Sequence, residues 1–364
     1  MFDKSIKITY NSIEWRMFMD KKKLLTIIIG FVVVAVVGVS VFYMNGVSSV
    51  SNNDKEVIVT IEKGQGASSI LNTLDEAGLV NNKLCGKIFL KLNNFDNLQA
   101  NTYIFNENMS LNDMFSIMEK PSGEFILRTK VTIKEGNTMP EVAASIAEAL
   151  DMSKDDVLKQ LADKTFLNGL IKDYWFITDD ILKSGIKYPL EGYLYPETYL
   201  FNLDEANVEK IIRESLDMMD EKLTPIKDSI SHMKWSIHEF LTFASVVERE
   251  SLFDKDRPII AEVFLNRLAI NMRLQSDITV NYAWQRTGVD VTYDHLKIDS
   301  PYNTYKVYGL PIGPISTVSL KTMESCIDHD DNDYLFFFAK KDGTVIYSKT
   351  LDEHNKAVKE NKWY

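Results

Sequence analysis

Ser236-Ile237-His238-Glu239-Phe240-Leu241-Thr242-Phe243-Ala244-Ser245-Val246-Val247-Glu248-Arg249-Glu250-Ser251 is the stretch whose reading decides the fold. Ser236 is a good N-cap, and Glu239 three positions on completes a capping box, so a helix is predicted to start at Ile237. Ile237, Leu241, Ala244 and Val247 or Glu248 recur at spacings of three and four, the stripe a helix turns toward a core. Glu248 is the odd member. At about 100° per residue it emerges on or beside the apolar face, whereas Glu250 is rotated roughly 200° away. A carboxyl group at the edge of an apolar stripe is poorly solvated, which favours its neutral form, and a protonated acid near neutral pH is what general-acid chemistry requires. The same position equally suits an internal partner for Arg249, Arg257 or Arg267.

Outward from this helix, the 364 residues suffice for two or three compact units, and 45% apolar with 26% charged residues excludes wholesale disorder. Residues 1–44 hold six Lys/Arg against three acids, so of the formal charge of −11 the remainder carries −14. So acidic a domain is a poor nucleic-acid binder. Cys85 and Cys326 are the only cysteines and are expected as buried thiols, and the five histidines are scattered, so neither a metal site nor another cofactor is expected.

Leu24 to Tyr43 runs twenty residues without a charge, about 30 Å as a helix, the thickness of a bilayer's hydrocarbon core. A cleavable signal peptide would have a shorter apolar region, about 7–15 residues, so an uncleaved anchor is expected. Lys21-Lys22-Lys23 before it places the N-terminus in the cytoplasm and the rest outside. The expected organisation is a cytoplasmic tail (1–23), a transmembrane helix (24–43), a flexible linker (44–55), a small α+β module (56–127) and a larger mixed α+β domain (128–364). The first eighteen residues show no pattern, and Met19 is an alternative start.

Glu56 to Glu62 alternates like a half-buried strand, and helices are expected over 67–76, with Ile70, Leu71 and Leu74 inward, and over 84–92, with Leu84, Ile88 and Leu92 at helical spacing. Val131-Thr132-Ile133-Lys134-Glu135-Gly136 echoes Val59-Thr60-Ile61-Glu62-Lys63-Gly64, with Val142 and Ile146 standing where Ile70 and Leu74 stood. One strand–glycine turn–helix unit used twice suggests paired small modules. The tyrosine-rich loop from Tyr188 to Tyr199, with Glu191, Tyr193 and Tyr195, is either a stacking surface for sugars or a set of loop anchors for the core. Past the central helix, Gly/Pro-dense segments carrying Gln275, Asp277, Tyr302, Asn303 and Tyr305 read as a rigid, hydrogen-bonding groove wall, and residues 334–348 as a hairpin through Asp342-Gly343.

Several of these pieces together resemble the YceG-like family of membrane-anchored endolytic murein transglycosylases. They are Glu191-Gly192-Tyr193 with Pro196-Glu197-Thr198-Tyr199, Ala244 to Glu250, Phe264 to Leu268, Leu274-Gln275-Ser276-Asp277, Ser300 to Tyr305, Gly309 to Ile315 and Glu353-His354-Asn355. Ile278 and Ile312 stand where the family usually has proline, and Thr317-Val318-Ser319 replaces a more usual Asn-Pro-Gly, which bears on subsite geometry. The resemblance implies a LysM-like module ahead of the catalytic domain. It also implies cleavage of the β-1,4 bond between N-acetylmuramic acid and N-acetylglucosamine, leaving a 1,6-anhydro end, beside peptidoglycan synthases. It puts Glu248 at the family's catalytic glutamate, serving as both acid and base, with Gln275, Asp277, Tyr302, Asn303, Tyr305, Glu191, Tyr193 and Tyr195 as candidates for holding the glycan. A non-catalytic glycan-binding scaffold of the division or elongation machinery, and a two-carboxylate hydrolase using Asp277, Asp294 or Glu191, are the rival expectations.

Overall fold

The computed structural model describes residues 21–286 and 291–361, so the expectations for the first eighteen residues and Met19 lie outside it. The chain is a mixed α+β protein that divides into two compact units: residues through Leu127 with Asn202–Asp204, and Arg128–Phe201 with Glu205 onward.

In the first unit, α1 (Lys21–Val47) is a single apolar helix, long enough to cross a membrane from Lys23 to Val47, whose side chains from Leu24 to Phe42 are largely exposed. It does not stop where a flexible linker was expected. Met44 to Val47 are still helical, and Gly46 is buried so tightly that an added Cβ would meet Cys85 Sγ at 2.4 Å. The chain then forms β1 (Glu56–Ile61), α2 (Ala67–Glu76), α3 (Lys83–Leu92), β2 (Asn101–Asn106) and α4 (Leu111–Glu119). β1 pairs antiparallel with β2, Val59 opposite Tyr103, over a core of Ile61, Ile70, Leu71, Leu74, Phe89, Phe105, Met114 and Phe115.

The apolar stripe seen in the sequence of α3 is not its buried face. Leu84, Ile88 and Leu92 are 62%, 41% and 69% exposed, and Cys85, Gly86 and Phe89 turn inward instead. Two stripes one residue apart both fit helical spacing. Close approach decides between them, since only glycine at 86 leaves room for Leu71, whose Cδ1 would lie 2.8 Å from a Cβ there.

The second unit runs β3 (Arg128–Thr132), α5 (Met139–Leu150), α6 (Lys154–Leu161), α7 (Lys164–Asp173), β4 (Thr198–Asn202), α8 (Val208–Leu223), α9 (Lys227–His232), α10 (Ile237–Glu250), α11 (Arg257–Ala269), α12 (Asp277–Trp284), α13 (Leu320–Ile327), the hairpin β5 (Phe336–Ala339) and β6 (Val345–Ser348), and α14 (Leu351–Asn361). The helix quoted at the outset is α10, started by the Ser236–Glu239 capping box, with Phe240, Leu241, Phe243, Ala244, Val246 and Val247 all buried. The strand–turn–helix echo is real locally. Gly64 and Gly136 both take positive φ, and Val142 and Ile146 are buried like Ile70 and Leu74. It is not a second small module, however, because β3 pairs with β4 and its helix joins the larger core.

The tyrosine-rich loop is an anchor for this core and supplies no stacking surface at Glu191 or Tyr193. Glu191 is 1% exposed and accepts the Met139 N–H at the start of α5 (2.9 and 3.0 Å to its two oxygens) and the Tyr282 hydroxyl (3.0 Å). Tyr193 is fully buried, its hydroxyl 2.9 Å from His238 Nδ1, and Tyr195 is half-buried. Burial pushes the Glu191 carboxyl up to about 8 from an ordinary 4.5, against the opposing pull of the Met139 N–H.

Two outcomes follow for Glu191. Glu191→Ala leaves the Met139 N–H and the Tyr282 hydroxyl without their acceptor, a loss of about 1–3 kcal/mol for each, read as a lower urea midpoint. Because the folded group binds its proton more tightly than the unfolded one, its contribution is full below about pH 4.5 and is lost as pH rises toward 8. The stability–pH curve of Glu191→Gln should be flatter across that window.

Candidate active site

α10 ends in two carboxylates two residues apart, and their surroundings differ completely. Glu248 is 7% exposed. Its Oε1 accepts from Arg257 Nη2 at 3.0 Å, and its Oε2 accepts from the Ser319 backbone N–H at 2.9 Å and from Ser319 Oγ at 2.8 Å. Arg257 is the first residue of α11 and Ser319 the N-cap of α13, so Glu248 ties the ends of three helices together. The guanidinium and the backbone N–H can only donate to it, while the Ser319 hydroxyl, which also meets Thr322 Oγ1 at 3.2 Å, can donate or accept. The apolar stripe foretold burial, and of the two readings of Glu248 the geometry shows the internal partner, with Arg257. Ser319 belongs to the segment that departs from the usual Asn-Pro-Gly, so that departure bears on this brace through a serine hydroxyl bonded to Glu248.

Glu250, on the other side of the helix, is half-buried and lines a cavity of about 400 Å³ within the second unit. The cavity is formed by the end of α10, the Leu274–Asp277 loop, α11, β5 and α14, a size within the range of small-ligand sites. Glu250 Oε1 accepts from Ser276 Oγ at 2.6 Å. The nearby cation Arg267 is committed elsewhere, its Nε donating to Leu335 O at 2.6 Å and its Nη1 to Leu274 O at 2.5 Å. Burial, with Asp277 adding like charge, pushes the Glu250 carboxyl up to about 7, against the Ser276 bond and the pull of Arg267 and Arg249.

The expected site residues divide. Gln275, Asp277 and Tyr305 do meet in this cavity. Tyr305 donates its hydroxyl to Asp277 Oδ1 at 2.6 Å, and burial raises the Asp277 carboxyl although part of the residue stays exposed. Gln275 is held at φ +48 with its N–H on Thr304 O, an uncommon conformation for a side chain of this type, and it leaves the residue exposed at the cavity. Tyr302 and Asn303 are buried braces and do not line this cavity. The Tyr302 hydroxyl accepts from Lys187 N, while Asn303 Nδ2 donates to Leu296 O and Ile298 O and its Oδ1 accepts from Tyr305 N.

Sequence reasoning missed Glu250, Arg267, His354 and the aromatic wall Phe336–Phe338 as cavity residues. His354 stacks on Phe336 at 5.4 Å. Burial and then Arg267 lower its pKa, and its Nδ1 has no hydrogen-bond partner among the described residues. The one signal in the sequence was its place in Glu353-His354-Asn355, far along the chain from α10.

The site is thus an aromatic-walled cleft in an α+β unit, carrying one acid pushed up toward neutrality. The chain belongs to the YceG-like family, whose model matches residues 59–360. It is 37% identical over 302 residues to the endolytic murein transglycosylase of Bacillus subtilis (strain 168), covering 83% of each chain. It is 34% identical over 329 residues to the protein of that name from Streptococcus pneumoniae serotype 2 (strain D39), covering 85% of this chain and 59% of that longer one. A 2.6 Å crystal structure of a yceG-like protein from Listeria monocytogenes is 39% identical and superimposes with a TM-score of 0.62 over 84% of this chain and all of that one.

Glu248→Ala removes the acceptor of Arg257 Nη2 and of two Ser319 donors, while Arg257 Nη1 keeps Asp254 Oδ1 at 2.7 Å, so a stability loss of about 1–3 kcal/mol is expected, seen as a drop in melting temperature. Glu250→Gln should leave the melting temperature near that of wild type.

Proposed function

We propose that this chain is a lytic murein transglycosylase that cuts the N-acetylmuramyl-β-1,4-N-acetylglucosamine bond within glycan strands, with Glu250 as its single general acid and base. Support for the reaction comes from the family and from the names of its relatives. The observation that carries the residue assignment is a cavity-facing carboxyl pushed up to about 7 and bonded to the Ser276 hydroxyl, while Glu248 is occupied as a brace. This moves the catalytic role two residues from where the sequence suggested it.

Protonated Glu250 donates to the glycosidic oxygen as the C1–O bond breaks, and the leaving sugar departs with that proton as its hydroxyl. The carboxylate then takes the proton of the muramyl C6 hydroxyl, whose oxygen closes on C1 to form the 1,6-anhydro ring. No water is consumed and the acid is regenerated, so one carboxyl group serves both steps. Gln275, Asp277 and Tyr305 would hold N-acetyl and hydroxyl groups, and Phe336 with Phe337 would face the sugar rings. The closeness of Asp277 favours one other reading, a two-carboxylate hydrolase. Mass spectrometry separates them, since hydrolysis adds a water to the new end.

α1 would hold the enzyme in the cell membrane, its N-terminus cytoplasmic and its catalytic domain outside, within reach of peptidoglycan synthases. The first unit's β–α–α–β order supports a LysM-like glycan-gripping role.

Digestion of purified murein by the full chain should release anhydro-ended fragments, and Glu250→Gln should lower their yield by at least about a hundredfold. Binding without fragments from the wild type would leave a glycan scaffold. Since the acid must start protonated, the rate limited by this step should fall as pH rises through about 7.

A further inference from the structure

Helix α3 carries a surface that neither the fold nor the cavity uses. Its buried face is Cys85, Gly86 and Phe89. Next to that face stand Leu84, Ile88 and Leu92, 62%, 41% and 69% exposed. Beside these in turn stands a row of lysines at four-residue spacing, Lys83, Lys87 and Lys91. Lys83 is tied to Asp75 at 2.8 Å, whereas Lys87 and Lys91 are exposed. Three large apolar side chains flanked by lysines on a water-facing helix would be a solubility liability, yet they are the pattern of a helix lying in a membrane interface.

The position of α3 makes that reading specific. It packs on the last turns of the apolar helix α1. Cys85 Sγ lies 3.8 Å from Phe42 O, Asn82 N donates to Gly46 O at 3.2 Å, and Asn81 Nδ2 donates to Asn45 O at 2.9 Å. The contact is close enough to require glycine at 46. Counting about 20 residues of α1 for the hydrocarbon core, Phe42 and Tyr43 fall at its outer edge. α3 is therefore fixed at headgroup level wherever α1 spans.

We propose that α3 is a second, interfacial membrane contact, with Leu84, Ile88 and Leu92 dipping below the headgroups and Lys87 and Lys91 meeting the phosphates of anionic lipids. This rests on α1 being the membrane anchor. Two contacts rigidly joined would fix the height and tilt of the first unit above the bilayer, where an anchor on a free stalk would not.

The test uses the full chain in nanodiscs of phosphatidylglycerol and phosphatidylethanolamine. An environment-sensitive fluorophore is placed on Ile88→Cys, Leu84→Cys, Val36→Cys or Lys63→Cys, with the unlabelled-site protein as background because both native thiols are buried. Lipids spin-labelled at the headgroup or mid-chain are the quenchers. Headgroup-level quenching at Ile88 and Leu84 about threefold or more above that at Lys63 is expected, reduced to the Lys63 level by Leu84→Glu or Leu92→Glu with Lys87→Glu and Lys91→Glu. Strong mid-chain quenching at Val36 with Ile88 and Leu84 no better quenched than Lys63 would overturn the interfacial contact and leave the anchor standing. Absence of quenching at Val36 would overturn the anchor, and this proposal with it.

Discussion

The bond set around Glu248 is the constraint on which the geometry of the candidate cleft depends. One buried carboxylate accepts from the Arg257 guanidinium and twice from Ser319, and in doing so fixes the end of α10 against the starts of α11 and α13. Such a brace adds little net stability over a well-packed apolar core, since desolvating the charges offsets most of their attraction. What it supplies is position. With Glu248 locked on one side of the last helical turn, Glu250 is turned toward the cavity on the other, and Arg267 and Ser276 meet it from fixed directions.

Three glutamates in the second unit show how environment divides labour among chemically identical groups. Glu191 is sealed in the core beneath the start of α5 and pushed up to about 8, and it serves as an acceptor for a helix N-terminus and a tyrosine. Glu248 is equally buried but matched by a cation. Glu250 has burial without a dedicated cation, because the two backbone carbonyls at Leu335 and Leu274 engage Arg267 first. A shift to about 7 would let it give a proton and take one back near neutral pH, the role proposed for it.

Periodicity and capping made most of the architecture readable. The Ser236–Glu239 box, the uncharged run before Met44 and the Asp342-Gly343 turn each specify local structure with nearest-neighbour chemistry, and each element formed as expected. What periodicity could not resolve was which of two adjacent stripes turns inward. On α3 a glycine that admits Leu71 chose the face, and on α10 a guanidinium nine residues on turned a candidate acid into a brace. The candidate site was legible where loop chemistry is local, at Gln275, Asp277 and Tyr305. It was not legible at Arg267, Phe336 and His354, which reach the cavity through long-range packing that no local pattern reports.

The central claim is that a single carboxyl group at the end of α10 titrates near neutrality, and carboxyl ¹³C NMR of selectively labelled glutamate tests it most directly. Comparison of wild type with Glu250→Gln assigns the resonance. The account predicts that this signal titrates at about 7, well above the ordinary 4.5. A Glu250 signal titrating at the ordinary value would contradict it.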